Sequence, residues 1–331
     1  MKVAVIGAGA WGTALAVSLV ANHRVMLWAR DAAQINEMQK LRQNQRYLPG
    51  ISLPESIELC TDLSVALAVA ELVIIAVPTA ALRSTLQLLT SSQYDFGVVW
   101  ACKGFEAKTS LLPHQVVAEV LPSGCKCGVL SGPSFAQEVA RGLPTALTLA
   151  SEDEEFSNGT AQALHHERLR IYSSNDVIGV EVGGAVKNVM AIASGISDGL
   201  GLGHNARAAL ITRGLAEITR LGLKLGGNSE TLSGLSGLGD LVLTCTGDLS
   251  RNRQVGQLMA KQQNLSEILD KLGHVAEGVY TVREVYQLAR HFDVAMPICV
   301  AVYRVLYEEM PAEDMVAELL QRAPNLEFNH A

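Results

Sequence analysis

Two lysines in unlike settings give the first chemical signal. The segment VIGVEVGGAVKNVMAIASGI, drawn as a helix, is apolar or small on nearly every face, yet it holds Lys187 and Asn188. An ammonium buried there costs several kcal/mol unless it is paired or faces a cleft, so Lys187 is a candidate for a working charge. Lys103 comes directly after an apolar run, in VVWACKGF, and Ser131, Gly132, Ser134 and Ala136 follow another in GVLSGPSFA. A third polar island, GLSGLGDLVLTCTGDLSRNR, sets Asp240 behind glycines and offers Ser250 as the cap of a helix opening with Arg251, Asn252 and Arg253. Free N–H groups at a helix start, an arginine fork and an amide together hold phosphate well. Each island has an ordinary alternative: a solvated lysine, a snorkelling side chain, a plain capped helix. Convergence on one sheet edge is what would make them a site.

The elements that must position them begin at the N-terminus. VAVIGAGAWG runs a short apolar strand, residues 3–6, into Gly7, Gly9 and Gly12 and then into an Ala/Leu/Val helix. The first glycine permits a tight turn, the second lets backbone approach a pyrophosphate, and the third packs helix on strand. A second strand over 25–28 arrives at βαβ distance and ends at Arg30 and Asp31, where an adenosine ribose would lie. The three spaced glycines oppose reading Lys2 to Val20 as a secretory leader. With one pyrophosphate site already present, a second anion site implies a phosphorylated substrate, or an Arg251 that reaches across to the cofactor.

Further β-rich runs at 57–60, 72–77, 97–101, 128–130, 146–150 and 169–172 alternate with helical patterns, which predicts a mostly parallel sheet with helices on both faces. Residues 151–154 read as a capping box for one of those helices. After Val177 helical periodicity takes over. The expected division is a dinucleotide domain over 1–178 and an all-helical substrate domain over 179–331. At 331 residues two cores are the natural expectation. A net charge of −7 without a basic run excludes a large nucleic-acid footprint. Mean hydropathy is +0.22, but the most apolar stretch, 63–77, carries Glu71 and is too short to span a membrane, so no membrane insertion is expected. Six cysteines without zinc-ligand spacing fit a reduced, cytoplasmic protein that uses no metal. His165, His166 and His204 carry no decisive signal, and a carboxylate at Glu277 could cap a helix or touch a nicotinamide amide.

The strings GAGAWGTA, RYLPG, ACKGF, SGPSFAQEVA, GAVKNVMAI, NARAALITRG, GLGDLVLTCTGDLSRNR and AEGV resemble the bacterial NAD(P)-dependent glycerol-3-phosphate dehydrogenases nearly end to end. The resemblance implies a Rossmann-type α/β domain joined to an all-helical domain like that of 6-phosphogluconate dehydrogenase, and a homodimer. It implies interconversion of dihydroxyacetone phosphate and sn-glycerol 3-phosphate, a small-molecule reaction feeding glycerophospholipid synthesis. By position, Lys187 becomes the proton donor and acceptor. Lys103, Gly132, Ser134, Asp240, Ser250, Arg251 and Asn252 become substrate contacts, with Asn188 and Thr244 as further candidates. Besides the glycine turn, Ala10, Trp11, Arg30, Tyr47, Lys103, Ala136, Arg251, Val275 and Glu277 become cofactor contacts. Ala80 and His204 depart from the family pattern.

The chemistry agrees with these roles. Hydride arriving at a ketone creates an alkoxide, and a cation about 3 Å away stabilises it and supplies the proton. Burial and the Lys103 charge should lower the Lys187 pKa, with Asp240 opposing them. Arg30 suits a 2′-phosphate, so NADPH is the expected preference, while Asp31 leaves NADH possible. Three rivals carry less. A reductase acting on a carboxylate substrate, of the hydroxyisobutyrate or ketopantoate type, would not need the SRNR corner. A UDP-sugar dehydrogenase would need a base beside Cys245. A silent NAD(P)H sensor would not need Lys187.

Overall fold

The computed structural model describes residues 1–90, 96–272 and 276–322. Val, Ile and Leu runs form β1 (Lys2–Ile6), β2 (Arg24–Trp28), β5 (Glu58–Cys60), β6 (Leu72–Ile75), β7 (Gly97–Trp100), β8 (Cys127–Ser131), β9 (Thr145–Ala150) and β10 (Leu169–Ser174). They build one sheet in the order β10-β9-β8-β7-β6-β1-β2-β5, parallel except between β8 and β9. Val3 and Val5 of β1 pack into one apolar layer, Ala4 and Ile6 into the other, the two-sided burial a helix-covered parallel sheet demands. Strand order reverses on either side of β1, between β6 and β2. In such sheets the crevice at this switch point, beyond the carboxyl ends, holds the ligand. Gly7, Arg30, Pro78, Lys103 and Gly132 all come just after strands that end on that edge.

One local expectation is corrected. Residues 151–154 do not form a capping box. The Ser151 hydroxyl donates to the Cys127 carbonyl at 2.6 Å, and Asp153 caps the helix Glu154–Leu164 by accepting from the Phe156 N–H. Sequence reading also passed over an antiparallel hairpin, β3 (Gln43–Asn44) and β4 (Leu48–Ser52). Asn44 anchors this hairpin to the glycine turn, donating to the Ala8 carbonyl at 2.9 Å and to Thr13 Oγ1 at 2.8 Å.

From Val177 onward the described chain is helical. The helix Val177–Gly199, capped by Asp176, runs through the core and is wrapped by the helices Gly203–Leu225, Asp240–Thr246, Arg251–Met259, Glu277–His291 and Pro297–Tyr307. By length and composition it could cross a membrane, but 94% of its apolar window is buried inside the protein. It is a core helix. Its small residues admit other backbones: a Cβ on Gly195 would sit 1.9 Å from the Arg253 carbonyl oxygen, and one on Gly256 2.0 Å from that of Ile192. This backbone-to-backbone crossing brings Asn252 beside Asn188. Replacing Gly195 by Ala should therefore cost about 1–3 kcal/mol in denaturant melts. Gly159→Ala, where an added Cβ meets nothing within 4 Å, should be neutral or stabilising. Equal effects would contradict the close-crossing account.

Candidate active site

Lys187 lies in the middle of the core helix, 7% exposed. Its ammonium donates to Asp240 Oδ1 at 2.6 Å and to Thr244 Oγ1 at 2.9 Å. The other carboxylate oxygen accepts from Lys103 Nζ at 2.7 Å, and Lys103 also donates to the Gly132 carbonyl at 3.0 Å. One buried carboxylate thus carries two ammoniums, one from the sheet edge and one from the helical half. Asp240 opens its helix directly after a wide π-type turn, Leu235–Gly239. A Cβ on Gly183 would meet the Ser236 carbonyl oxygen at 2.7 Å, so the small residue there lets this turn press against the core helix.

The electrostatics follow. Burial pushes the Asp240 carboxyl up, but the charges of Lys103 and Lys187 outweigh it and hold the group below its usual range. For Lys187 burial dominates and Lys103 adds repulsion, so despite Asp240 the amine is pushed down to about 8. Two ammoniums against one carboxylate leave a positive surplus facing the crevice. Burial pushes the nearby Cys245 thiol up to about 12, which removes it as a nucleophile.

Ser250 caps the next helix, its hydroxyl accepting from the Arg253 N–H at 3.3 Å, as its sequence predicted. Arg253 does not face the crevice charges; it is tied to Asp198 at 2.7 Å and Asp248 at 2.8 Å and holds the helix start in place. Arg251 is open to water, yet crowding protein lowers its pKa against the opposing charge of Glu277. Asn252 and Asn188 are buried and bonded to each other at 2.9 Å, and Asn252 Oδ1 accepts from the Gly278 N–H at 3.0 Å. These amides join three helices at the point where Glu277 begins. Burial pushes Glu277 up to about 7, with the Thr79 N–H and Arg251 pulling the other way. Arg251, Glu277 and the β6 edge therefore meet. Ser134 bonds the same Gly132 carbonyl as Lys103, at 3.0 Å. Val275 lies outside the described residues.

The glycine turn fits a dinucleotide. Gly7, at φ 116°, and Gly12 are hemmed in, a Cβ on the latter falling 1.9 Å from the Gly7 carbonyl oxygen, whereas a Cβ on Gly9 would meet nothing within 4 Å. The backbone at Gly9 thus faces open space at a helix start, as phosphate binding requires. Ala10 and Trp11 form that first turn, and Trp11 and Ala136 both pack against the apolar cluster of Ala14, Leu48, Ile51 and Val139. The Trp11 indole N–H and the Thr79 hydroxyl are buried without a well-formed hydrogen-bond partner among the described residues. Arg30 is exposed. Asp31 is engaged as a helix cap, accepting from the Ala33 and Gln34 N–H groups. Arg46 lies 3.9 Å from Asp31 and over the ring of Tyr47, in the hairpin turn. Sequence reading missed Thr79, Arg46 and Glu181. The last was discoverable, being a charge in the same apolar helix as Lys187. Among the described residues, no group of three or more His, Cys, Asp or Glu is placed to hold a metal.

The chain matches the family model for the NAD-dependent glycerol-3-phosphate dehydrogenase N-terminus over residues 2–157 and that for the C-terminus over 176–317. It is 59% identical to a glycerol-3-phosphate dehydrogenase (NAD(P)+) of Nitrosomonas eutropha over 99% of each chain. It is likewise 59% identical to one of Thiobacillus denitrificans, covering 99% of this chain and 100% of the other. The crystal structure of glycerol-3-phosphate dehydrogenase from Coxiella burnetii superposes with a TM-score of 0.93 at 43% identity, over 97% of this chain and 99% of that one. Matched from end to end in sequence and in fold, the chain belongs to the NAD-dependent glycerol-3-phosphate dehydrogenase family, oxidoreductases that use a nicotinamide dinucleotide.

Proposed function

We propose that Lys187 exchanges the proton at the C2 oxygen when dihydroxyacetone phosphate and sn-glycerol 3-phosphate are interconverted. The observation that carries this is the buried Lys187, sharing Asp240 with Lys103, its pKa pushed down to about 8. Bound NAD(P)H supplies the hydride. As the carbonyl carbon accepts it, Lys187 gives a proton to the oxygen, becomes a neutral amine and is recharged from solvent; oxidation runs the same steps in reverse. Asp240 keeps the amine aimed, and Lys103 adds a second positive charge beside the developing alkoxide. Gly132 and Ser134 complete the wall on the sheet side. The start of the Arg251 helix, with Ser250, Arg251 and Asn252, anchors the phosphate, whose binding energy orients a carbonyl remote from it.

The same reading divides the chain at residue 178 into a dinucleotide domain and a substrate domain. It assigns Ala10, Trp11, Tyr47, Lys103, Ala136, Arg251, Val275 and Glu277 to the cofactor. It makes NADPH the preferred form through Arg30, since Asp31 is committed to a helix cap and is poorly free to hold ribose hydroxyls. A homodimer, a cytoplasmic location and a reaction without metal complete it; the ammonium does the work a Lewis acid would otherwise do.

Following NADPH oxidation with dihydroxyacetone phosphate, Lys187→Ala should cut kcat by about 100-fold or more with phosphate-dependent substrate binding retained. A near-normal rate would exclude the role. The reductive direction needs the protonated amine, so its kcat should fall as pH rises through about 8, whereas oxidation of glycerol 3-phosphate needs the neutral amine and should rise there. Profiles flat across that window would contradict the assignment. Arg30→Ala should raise KM for NADPH much more than KM for NADH, and equal increases would remove the stated basis of cofactor preference.

A further inference from the structure

A cavity of about 530 Å³ lies between the loop that follows Lys103 and the C-terminal end of the helix Glu277–His291. None of the side chains gathered round Asp240 lines it. Its apolar walls include Phe105, Leu288 and Phe292, and its basic side chains are Lys108, His114 and His291, with no carboxylate in the lining among the described residues. Three acids behind the wall are already engaged, Glu106 among them, bonded to Arg83 and Thr109. Glu181 accepts from the His114 N–H at 2.9 Å, from His114 Nδ1 at 2.6 Å and from Trp100 Nε1 at 2.7 Å. Glu284 accepts from Ser110 Oγ at 2.5 Å and from the Lys108 N–H at 3.3 Å. Burial opposes a charge on His114, but the bond to Glu181 and its charge outweigh that and raise the pKa.

The loop forming one wall is held in a costly shape. Lys108 and Ser110 adopt φ of 74° and 56°, left-handed backbone that costs a non-glycine residue about 1 kcal/mol or more. Glu284, from the helical half, pins both. This shaped wall also touches the catalytic parts. Phe105 stands two positions after Lys103, across Gly104, and is buried in the helical core. His114 leads through Glu181 to both lysine-bearing elements, because Glu181 is in the Lys187 helix and Trp100 closes β7 just before Lys103.

We propose that this cavity is a second ligand site, for a small anion carrying an apolar chain or ring, and that its occupant alters turnover by acting on Phe105 and the Glu181 strut. Phenyl rings and leucines would receive the apolar part, and Lys108, His114 and His291 the charge.

Calorimetric titration of the enzyme held as its dead-end complex with NADPH and glycerol 3-phosphate, which blocks the crevice, tests this with octyl phosphate and octanoate as probes. Both should bind once per chain, at least about ten-fold more tightly than octanol or inorganic phosphate. The double variant Lys108→Glu, His291→Glu changes two exposed side chains, so the fold should survive; it should weaken both probes about ten-fold or more while KM for dihydroxyacetone phosphate stays within about two-fold. Leu288→Trp, which fills the cavity, should do the same. Octyl phosphate should shift kcat of the unaltered enzyme and not of either variant. Absence of binding, equal binding of octanol, or full binding by the double variant would overturn the site. Binding with no change in kcat would overturn the coupling. Loss of the oligomer in the variants by sedimentation would make the surface a contact between copies and overturn the small-ligand assignment.

Discussion

Asp240 has two oxygens and two ammoniums, and the rest of the molecule is arranged so that both bonds can form inside protein. Lys103 arrives from the carboxyl edge of a parallel sheet, Lys187 from the middle of a helix, and the carboxylate from a third segment. An isolated buried carboxylate or ammonium would neutralise itself by shifting its pKa. Here the carboxylate stays ionised because it has two partners, while each lysine has only a share of one. Burial, helped by repulsion from Lys103 and opposed by Asp240, loosens the proton on the more deeply buried amine without removing it. The amine is thereby pushed down to about 8, well below the usual lysine range.

Bringing three chain segments within hydrogen-bond reach of one carboxylate is a packing problem, and small residues solve it. The core helix could not accept the backbone of the Arg251 helix at Gly195, nor the π-type turn at Gly183, if either carried a side chain. The turn itself is wider than an α-turn, a distortion that recurs at functional sites, and it delivers Asp240 to the start of its helix. Polar side chains then lock the crossing: Asn188 to Asn252, Asn252 to Gly278, and Arg253 to Asp198. Glu181 bonds Trp100 and His114, fastening the sheet to the same helix.

Much of this was legible in the sequence. The alternation of apolar runs gave the eight-stranded sheet, and the lone cation in an otherwise apolar helix gave Lys187. Ser250 was legible as a cap because a hydroxyl before a helix start has one dominant use. The losses have physical causes. The hairpin carrying Tyr47 is too short to show periodicity, and its anchor is a single asparagine reaching back across the glycine turn. Ser151 was misread because its hydroxyl finds a carbonyl on a neighbouring strand, a long-range competitor invisible to local pattern. The antiparallel pairing of β8 with β9 leaves no mark on strands that are apolar in either direction. Glu181 was overlooked although the rule that found Lys187 applied to it equally.

The central claim is that the Lys187 amine reaches the reacting oxygen across the crevice between sheet and helices. A crystal structure with NADPH and an unreactive analogue of dihydroxyacetone phosphate tests it most directly. The account requires the analogue's C2 oxygen within about 3 Å of Lys187 Nζ, with Asp240 still bonded to both lysines. An analogue seated with that oxygen beyond reach of Lys187, against some other donor, would contradict it.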